Sequence, residues 1–92
     1  MNATSLRTTL RTAAVIGTGS IGSSWSALAL AHGVGVHASD PAPGAEQRLR
    51  ESLADHLVEL AADPAALERL RFHADPAAAA EASDLVIEAG SR

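Results

Sequence analysis

The most constraining feature of this sequence is a short apolar run that ends in glycines. Ala13-Ala14-Val15-Ile16 leads straight into Gly17-Thr18-Gly19-Ser20-Ile21-Gly22. An apolar run without polar alternation reads as a strand buried on both faces, as in a parallel sheet. Beyond the glycines, Ile21, Trp25, Leu28 and His32 recur at helical spacing, with Ala and Ser between them. That pattern predicts an amphipathic helix with a small-residue face, able to lie close against a sheet. Gly33 is a natural stop for it. Val34-Gly35-Val36-His37-Ala38 then reads as a second strand, ending at Ser39-Asp40.

Three glycines alone are weak evidence in a chain rich in Ala and Gly. Here a strand enters the first glycine and a helix opens at the third. An acid, Asp40, follows 18 residues beyond Gly22 at the end of the next strand. That set is the dinucleotide-binding arrangement. Gly17 permits the tight turn, Gly19 lets a pyrophosphate approach the backbone, and Gly22 lets the helix pack closely on the strand. Backbone N–H groups around Ser20 and Ile21, with the helix dipole behind them, favour the pyrophosphate charge. Asp40 is placed to accept from the adenosine ribose hydroxyls, and its charge repels a 2′-phosphate. The next basic residue is Arg48, so the expected cofactor is NAD rather than NADP. A purely structural glycine turn is the competing reading. A methyltransferase half-sheet usually carries an acid before its glycines, where this chain has Ile16. An FAD site shares the same first strand-helix-strand unit and is excluded less firmly.

The rest of the chain keeps the same alternation. Pro41 and Pro43 lead into a helix whose stripe is Leu49, Leu53, Leu57 and Leu60. Asp63-Pro64 and Asp75-Pro76 each pair a capping acid with a proline suited to a first turn. They predict short helices from Pro64 to about Arg69 and over Ala77–Ala82. Leu70–His73 reads as a third strand and Asp84–Glu88 as a fourth. Strands alternating with helices imply an α/β fold, with parallel strands joined by right-handed crossovers.

With 92 residues, one domain is expected. Residues 1–12 read as a flexible lead-in and residues 13–92 as the domain. Apolar residues make up 47% of the chain, yet there is one Phe, one Trp and no Tyr, so small aliphatics must build the core. Without cysteine there is no disulfide framework, thiolate metal site or cysteine nucleophile. Net charge is −4 and no Arg cluster forms a stripe, which argues against a nucleic-acid partner. No apolar run approaches a bilayer span. Residues 1–39 carry no acid, are rich in Ser and Thr and contain Arg7 and Arg11, which mimics a transit peptide. The glycine motif specifies those residues better, and the expected location is cytoplasmic.

Residues 13–89 resemble the amino-terminal NAD-binding domain of the 3-hydroxyacyl-CoA dehydrogenase family. Gly17-Thr18-Gly19-Ser20-Ile21-Gly22-Ser23-Ser24-Trp25, with Ser39-Asp40-Pro41, is most similar to its lambda-crystallin and carnitine dehydrogenase branch. Asp84-Leu85-Val86-Ile87-Glu88-Ala89 resembles the family's fourth-strand signature. The resemblance implies half of a Rossmann fold: a four-stranded parallel sheet in order 3-2-1-4, with helices on both faces. It implies NAD as cofactor, a place in fatty acid metabolism, and hydride transfer at a 3-hydroxy group with a His base. In the family that base belongs to a His–Glu pair beyond two further strands, followed by a helical substrate domain. None of the four His here matches it, so the cofactor residues alone carry over and the chain by itself is expected to be inactive. Glu88, ending the fourth strand, falls near the family's nicotinamide ribose. A non-enzymatic adenine-dinucleotide sensor and a truncated gene product are the other classes.

Other residues have plainer readings. Trp25 is expected as a core anchor between the first helix and the sheet. His32, His37, His56 and His73 show no metal-ligand spacing, and no His or Asp partner is placeable for the serines near the glycines. Arg48, Glu51, Asp55 and Glu59 fall opposite the leucine stripe, on a solvated face. Leu85-Val86-Ile87 would be an apolar edge strand, which invites self-association or a complementing chain.

Overall fold

A computed structural model describes residues 10–89. The elements run β1 (Thr12–Ile16), α1 (Ser20–Ala31), β2 (Gly35–Ser39), α2 (Ala45–Glu59), a 3₁₀ helix (Pro64–Arg69), β3 (Leu70–Phe72), α3 (Pro76–Glu81) and β4 (Leu85–Glu88). The strands form one parallel sheet in order β3-β2-β1-β4, as expected. The first strand starts at Thr12, one residue earlier than its apolar run, and residues 1–9 of the expected lead-in lie outside the described residues.

Helices cover both faces of the sheet. On one face, α1, α2 and the 3₁₀ helix pack together. Strand alternation turns Val15, Val36, Ala38 and Leu70 toward them. These residues join Ala27, Leu30, Leu49, Leu53, Leu57 and Ala66 in the main core. On the other face α3 packs on β1 and β2, the side a right-handed crossover to β4 requires. Ala14 and Ala79 are fully buried there. Both Asp-Pro starts behave as caps: Asp63 accepts from the Ala65 N–H and Asp75 from the Ala77 N–H. Among the described residues, no helix is long and apolar enough to cross a membrane.

Two expected core positions are corrected. Leu60 lies exposed just past the end of α2, where the chain turns away at Ala61 with φ +55°. Trp25 does not anchor the core but is 49% exposed. The face of α1 that meets the sheet is its small one, with Gly22, Ser23, Ser26, Ala27 and Leu30 buried. Ser26 donates to the Gly22 carbonyl at 2.7 Å, and the Ser23 hydroxyl bonds that of Ser52 on α2 at 2.8 Å. So close an approach leaves no depth for an indole. Ile21, Trp25 and Leu28 are therefore turned to the flank and stay exposed.

Candidate functional site

The carboxyl ends of β1, β2 and β4 lie side by side, with Ile16 in register with Ser39 on one side and Glu88 on the other. The chain leaving β1 therefore turns at the strand ends, where open α/β sheets bind ligands. Gly17 makes the turn with φ +94°, a left-handed conformation that suits glycine. Its N–H donates to the Ser39 carbonyl at 2.8 Å, tying the turn to β2.

Gly22 is needed for packing. A Cβ there would lie 2.0 Å from the Gly17 carbonyl oxygen. Gly19 differs: its φ is −73°, which any residue adopts, and a Cβ there would meet nothing within 4 Å. The space over Gly19 is open.

Helix α1 begins beside that space without a side-chain cap and with no acid in its first turn. Its first backbone bond runs from the Ser23 N–H to the Gly19 carbonyl at 2.8 Å. Helix geometry leaves the N–H groups of Ser20, Ile21 and Gly22 without an intrahelical acceptor. The 3₁₀ helix and α3 both have aspartate caps, whereas α1 presents bare donors and the positive end of its dipole. Ser20 and Ile21 are exposed there, as an anion-binding start requires.

Asp40 stands at the end of β2, next to the glycine turn. Its Oδ2 accepts from the Thr18 N–H at 2.7 Å and from the Thr18 hydroxyl at 3.1 Å. Its Oδ1 accepts from the Ala42 N–H at 2.8 Å. The Thr18 N–H bond is the main cause that lowers its pKa below the ordinary carboxylate range. Burial opposes the shift, while the Ala42 N–H, the Thr18 hydroxyl and the Arg48 charge add to it. At neutral pH Asp40 is an anion that braces the loop between the first two glycines. The part played by Thr18 was not foreseen, since a hydroxyl in a glycine loop carries no signal for a partner 22 positions away.

A pH dependence follows. A folded pKa below the unfolded one adds stability that is fully present above the unfolded value, roughly pH 4, and is lost as pH falls through the folded value. Wild type should therefore lose more melting temperature between pH 5 and pH 3 than Asp40→Asn, which has nothing to titrate there. Parallel losses in the two proteins would refute the brace.

The residues expected from sequence share the carboxyl edge of the sheet. Gly17, Gly19, Ser20, Ile21, Gly22 and Asp40 form one continuous wall. Glu88 is exposed at the end of β4. The helical stripe holding Trp25 instead borders an apolar groove of about 340 Å³, lined by Trp25, Leu28, His32, Val34, Leu85 and Ile87 among others.

Two histidines that spacing kept apart meet in space. His37 Nδ1 lies 2.7 Å from His73 Nε2, with ring centroids 4.9 Å apart. That centroid distance puts the two nitrogens nearly on the line joining the rings, the geometry of a hydrogen bond between them rather than a bite for a metal. Burial, His73 and Arg71 together lower the His37 pKa. Among the described residues, no three His, Asp or Glu side chains gather to hold a metal ion.

Residues 12–91 match the family described as 3-hydroxyacyl-CoA dehydrogenase, NAD binding domain. The chain is 52% identical over 69 residues to L-carnitine dehydrogenase of Pseudomonas aeruginosa, covering 71% of this chain and 22% of that protein. It is 36% identical over 86 residues to L-carnitine dehydrogenase of Bacillus cereus, covering 89% of this chain and 26% of that one. Among solved structures, 3-hydroxybutyryl-CoA dehydrogenase of Escherichia coli superposes with a TM-score of 0.76 at 33% identity, covering 90% of this chain and 19% of that one. The (S)-3-hydroxybutyryl-CoA dehydrogenase of Ralstonia eutropha gives a TM-score of 0.77 at 25% identity, covering 90% of this chain and 32% of that chain. The chain thus spans a third or less of the length of each of these relatives.

Proposed function

Because this chain belongs to the NAD-binding-domain family of the 3-hydroxyacyl-CoA dehydrogenases, we propose that its glycine wall and Asp40 hold the ADP half of NAD. The observation that carries this reading is the open space at Gly19, a glycine that neither its φ nor its neighbours require. The pyrophosphate lies over it, against the first N–H groups of α1 at Ser20 and Ile21. Asp40 takes the ribose hydroxyls while keeping its bonds to Thr18. Glu88, beside Ile16, faces the nicotinamide ribose. NAD, when bound, supplies a nicotinamide carbon that accepts or returns hydride. The residues here bind and orient that cofactor for an oxidoreductase acting on a 3-hydroxy substrate, in the cytoplasm and in fatty acid metabolism. The identity to carnitine dehydrogenases supports a 3-hydroxy acid of that kind.

NAD titrated into the purified chain tests the reading. At 100 times its dissociation constant a ligand of the native state adds about 2.7 kcal/mol. For a domain of this size that raises the melting temperature by roughly 10–20 °C. A flat melting temperature up to millimolar NAD would reject the assignment.

The sheet supports a second part of the proposal. Its β3 edge is three residues long and carries Arg71, whose guanidinium folds back onto the Glu68 and Leu70 carbonyls. The β4 edge instead presents uncharged Leu85-Val86-Ile87, with Leu85 and Val86 more than two-fifths exposed. Such an edge is a template for another strand. A further polypeptide, a second copy or a complementing chain, pairs with β4 and covers the apolar groove beside it. Sedimentation should show association that Val86→Lys weakens, and a monodisperse monomer at high concentration would disprove it.

A further inference from the structure

We propose that Arg48 is the second determinant of cofactor choice, a cation fixed over the turn that follows Asp40, so that the Asp40 carboxylate alone keeps a 2′-phosphorylated dinucleotide out. This rests on the NAD site proposed above. In sequence Arg48 is eight positions from Asp40 and reads as part of a solvated helix face. In the fold, the turn between β2 and α2 brings it back. Asp40 holds one end of that turn by accepting from the Ala42 N–H at 2.8 Å. Arg48 holds the other end, its Nη1 donating to the Pro43 carbonyl at 2.9 Å. The same Nη1 lies 3.0 Å from the position a Cβ on Gly44 would take, so the guanidinium rests over the turn itself. It forms no ion pair with Asp40, yet its charge is close enough to help keep that carboxylate ionised.

The neighbouring side chains of α2 are otherwise engaged. Arg50 pairs with Glu46 at 3.1 Å, and Gln47 bonds Glu51. Arg48 has no acidic partner among the described residues. A guanidinium has five N–H donors, and the bond to Pro43 uses one. The others remain, in the planar fork of the guanidinium, for a bidentate acceptor such as a phosphate. The two determinants have opposite signs. Asp40 accepts from a 2′-hydroxyl and repels a 2′-phosphate. Arg48 is neutral toward the hydroxyl and attracts the phosphate. With Asp40 ionised the repulsion dominates, because the carboxylate stands at the ribose and Arg48 one turn away.

The experiment compares NAD and NADP binding by calorimetry, with melting temperatures as a second readout, across five chains: wild type, Asp40→Asn, Arg48→Leu, and Asp40→Asn combined with either Arg48→Leu or Arg48→Lys. Asp40→Asn should gain NADP affinity by about tenfold or more, the scale of one charge-assisted bond. Adding Arg48→Leu should remove that gain, whereas Arg48→Lys should retain part of it. Arg48→Leu alone should lower NAD affinity by less than about threefold, since Arg48 makes no bond to the NAD ribose and its hold on the turn is one exposed hydrogen bond. A gain in NADP binding that survives Arg48→Leu overturns the inference, as does no gain at all in a folded Asp40→Asn. If the Asn variant does not fold, Asp40→Ser keeps an acceptor for Thr18 and carries the same comparison. Failure of wild type to bind NAD overturns the glycine-wall reading and this inference together. Wild-type NAD binding without the Arg48 dependence overturns this inference alone.

Discussion

Gly22→Ala should cost this domain a large share of its stability. The new Cβ would stand 2.0 Å from the Gly17 carbonyl oxygen, 3.0 Å from its carbon and 3.3 Å from a Val15 methyl. Two of those atoms are backbone, so no rotamer change relieves the clash. Either α1 lifts off the sheet or the turn at Gly17 opens. Lifting α1 breaks its small-residue contact with β1 and β2, and opening the turn breaks the Gly17 bond to Ser39. Overpacking of this kind costs about 3 kcal/mol or more. A domain of this length has roughly 5–14 kcal/mol in total. The melting temperature should fall by roughly 12–24 °C, measured by circular dichroism. A fall of less than about 3 °C would mean that the close approach of helix and strand is not what this glycine serves.

Gly19→Val should have the opposite profile. Nothing in the protein occupies the space its side chain would enter, and the backbone there is in ordinary extended geometry. Gly19 is the N-cap of α1, where a β-branched apolar residue is a poorer choice, at a cost of about 1 kcal/mol. The folded spectrum should persist, with a melting temperature lower by less than about 8 °C. NAD should then no longer raise the melting temperature at any concentration that stabilises wild type, because the isopropyl group fills the pyrophosphate position. A retained NAD shift in a folded Gly19→Val chain would place the cofactor elsewhere. The two glycines, three residues apart, thus separate a requirement of folding from a requirement of binding.

Much of the fold is legible in the sequence. Element order follows from local signals that agree with one another. Glycine stops α1, Asp-Pro pairs start two short helices, and the apolar runs between these signals are too short for helices and read as strands. The candidate site is legible because its parts are tied to those elements: a turn at the end of one strand and an acid at the end of the next. Other features depend on register and depth, which periodicity does not encode. The spacing of Ile21, Trp25 and Leu28 shows that they share a face, and the small residues share another. Only the helix-to-sheet distance decides which face goes inward, and Gly22 sets that distance. The bond between His37 and His73 joins positions 36 apart and appears only once β2 and β3 are aligned. Thr18 and Arg48 escaped for a similar reason, since each serves Asp40 across a turn.

The outward position of Trp25 has a spectroscopic consequence. It is the chain's one tryptophan, and there is no tyrosine. Almost all ultraviolet emission therefore arises at the rim of the apolar groove beside β4, away from the leucine core. Emission from a half-hydrated indole shifts little when the core melts and shifts to the blue when the groove is covered. Fluorescence of this protein is thus a reporter of company at its flank, and a poor thermometer of its fold.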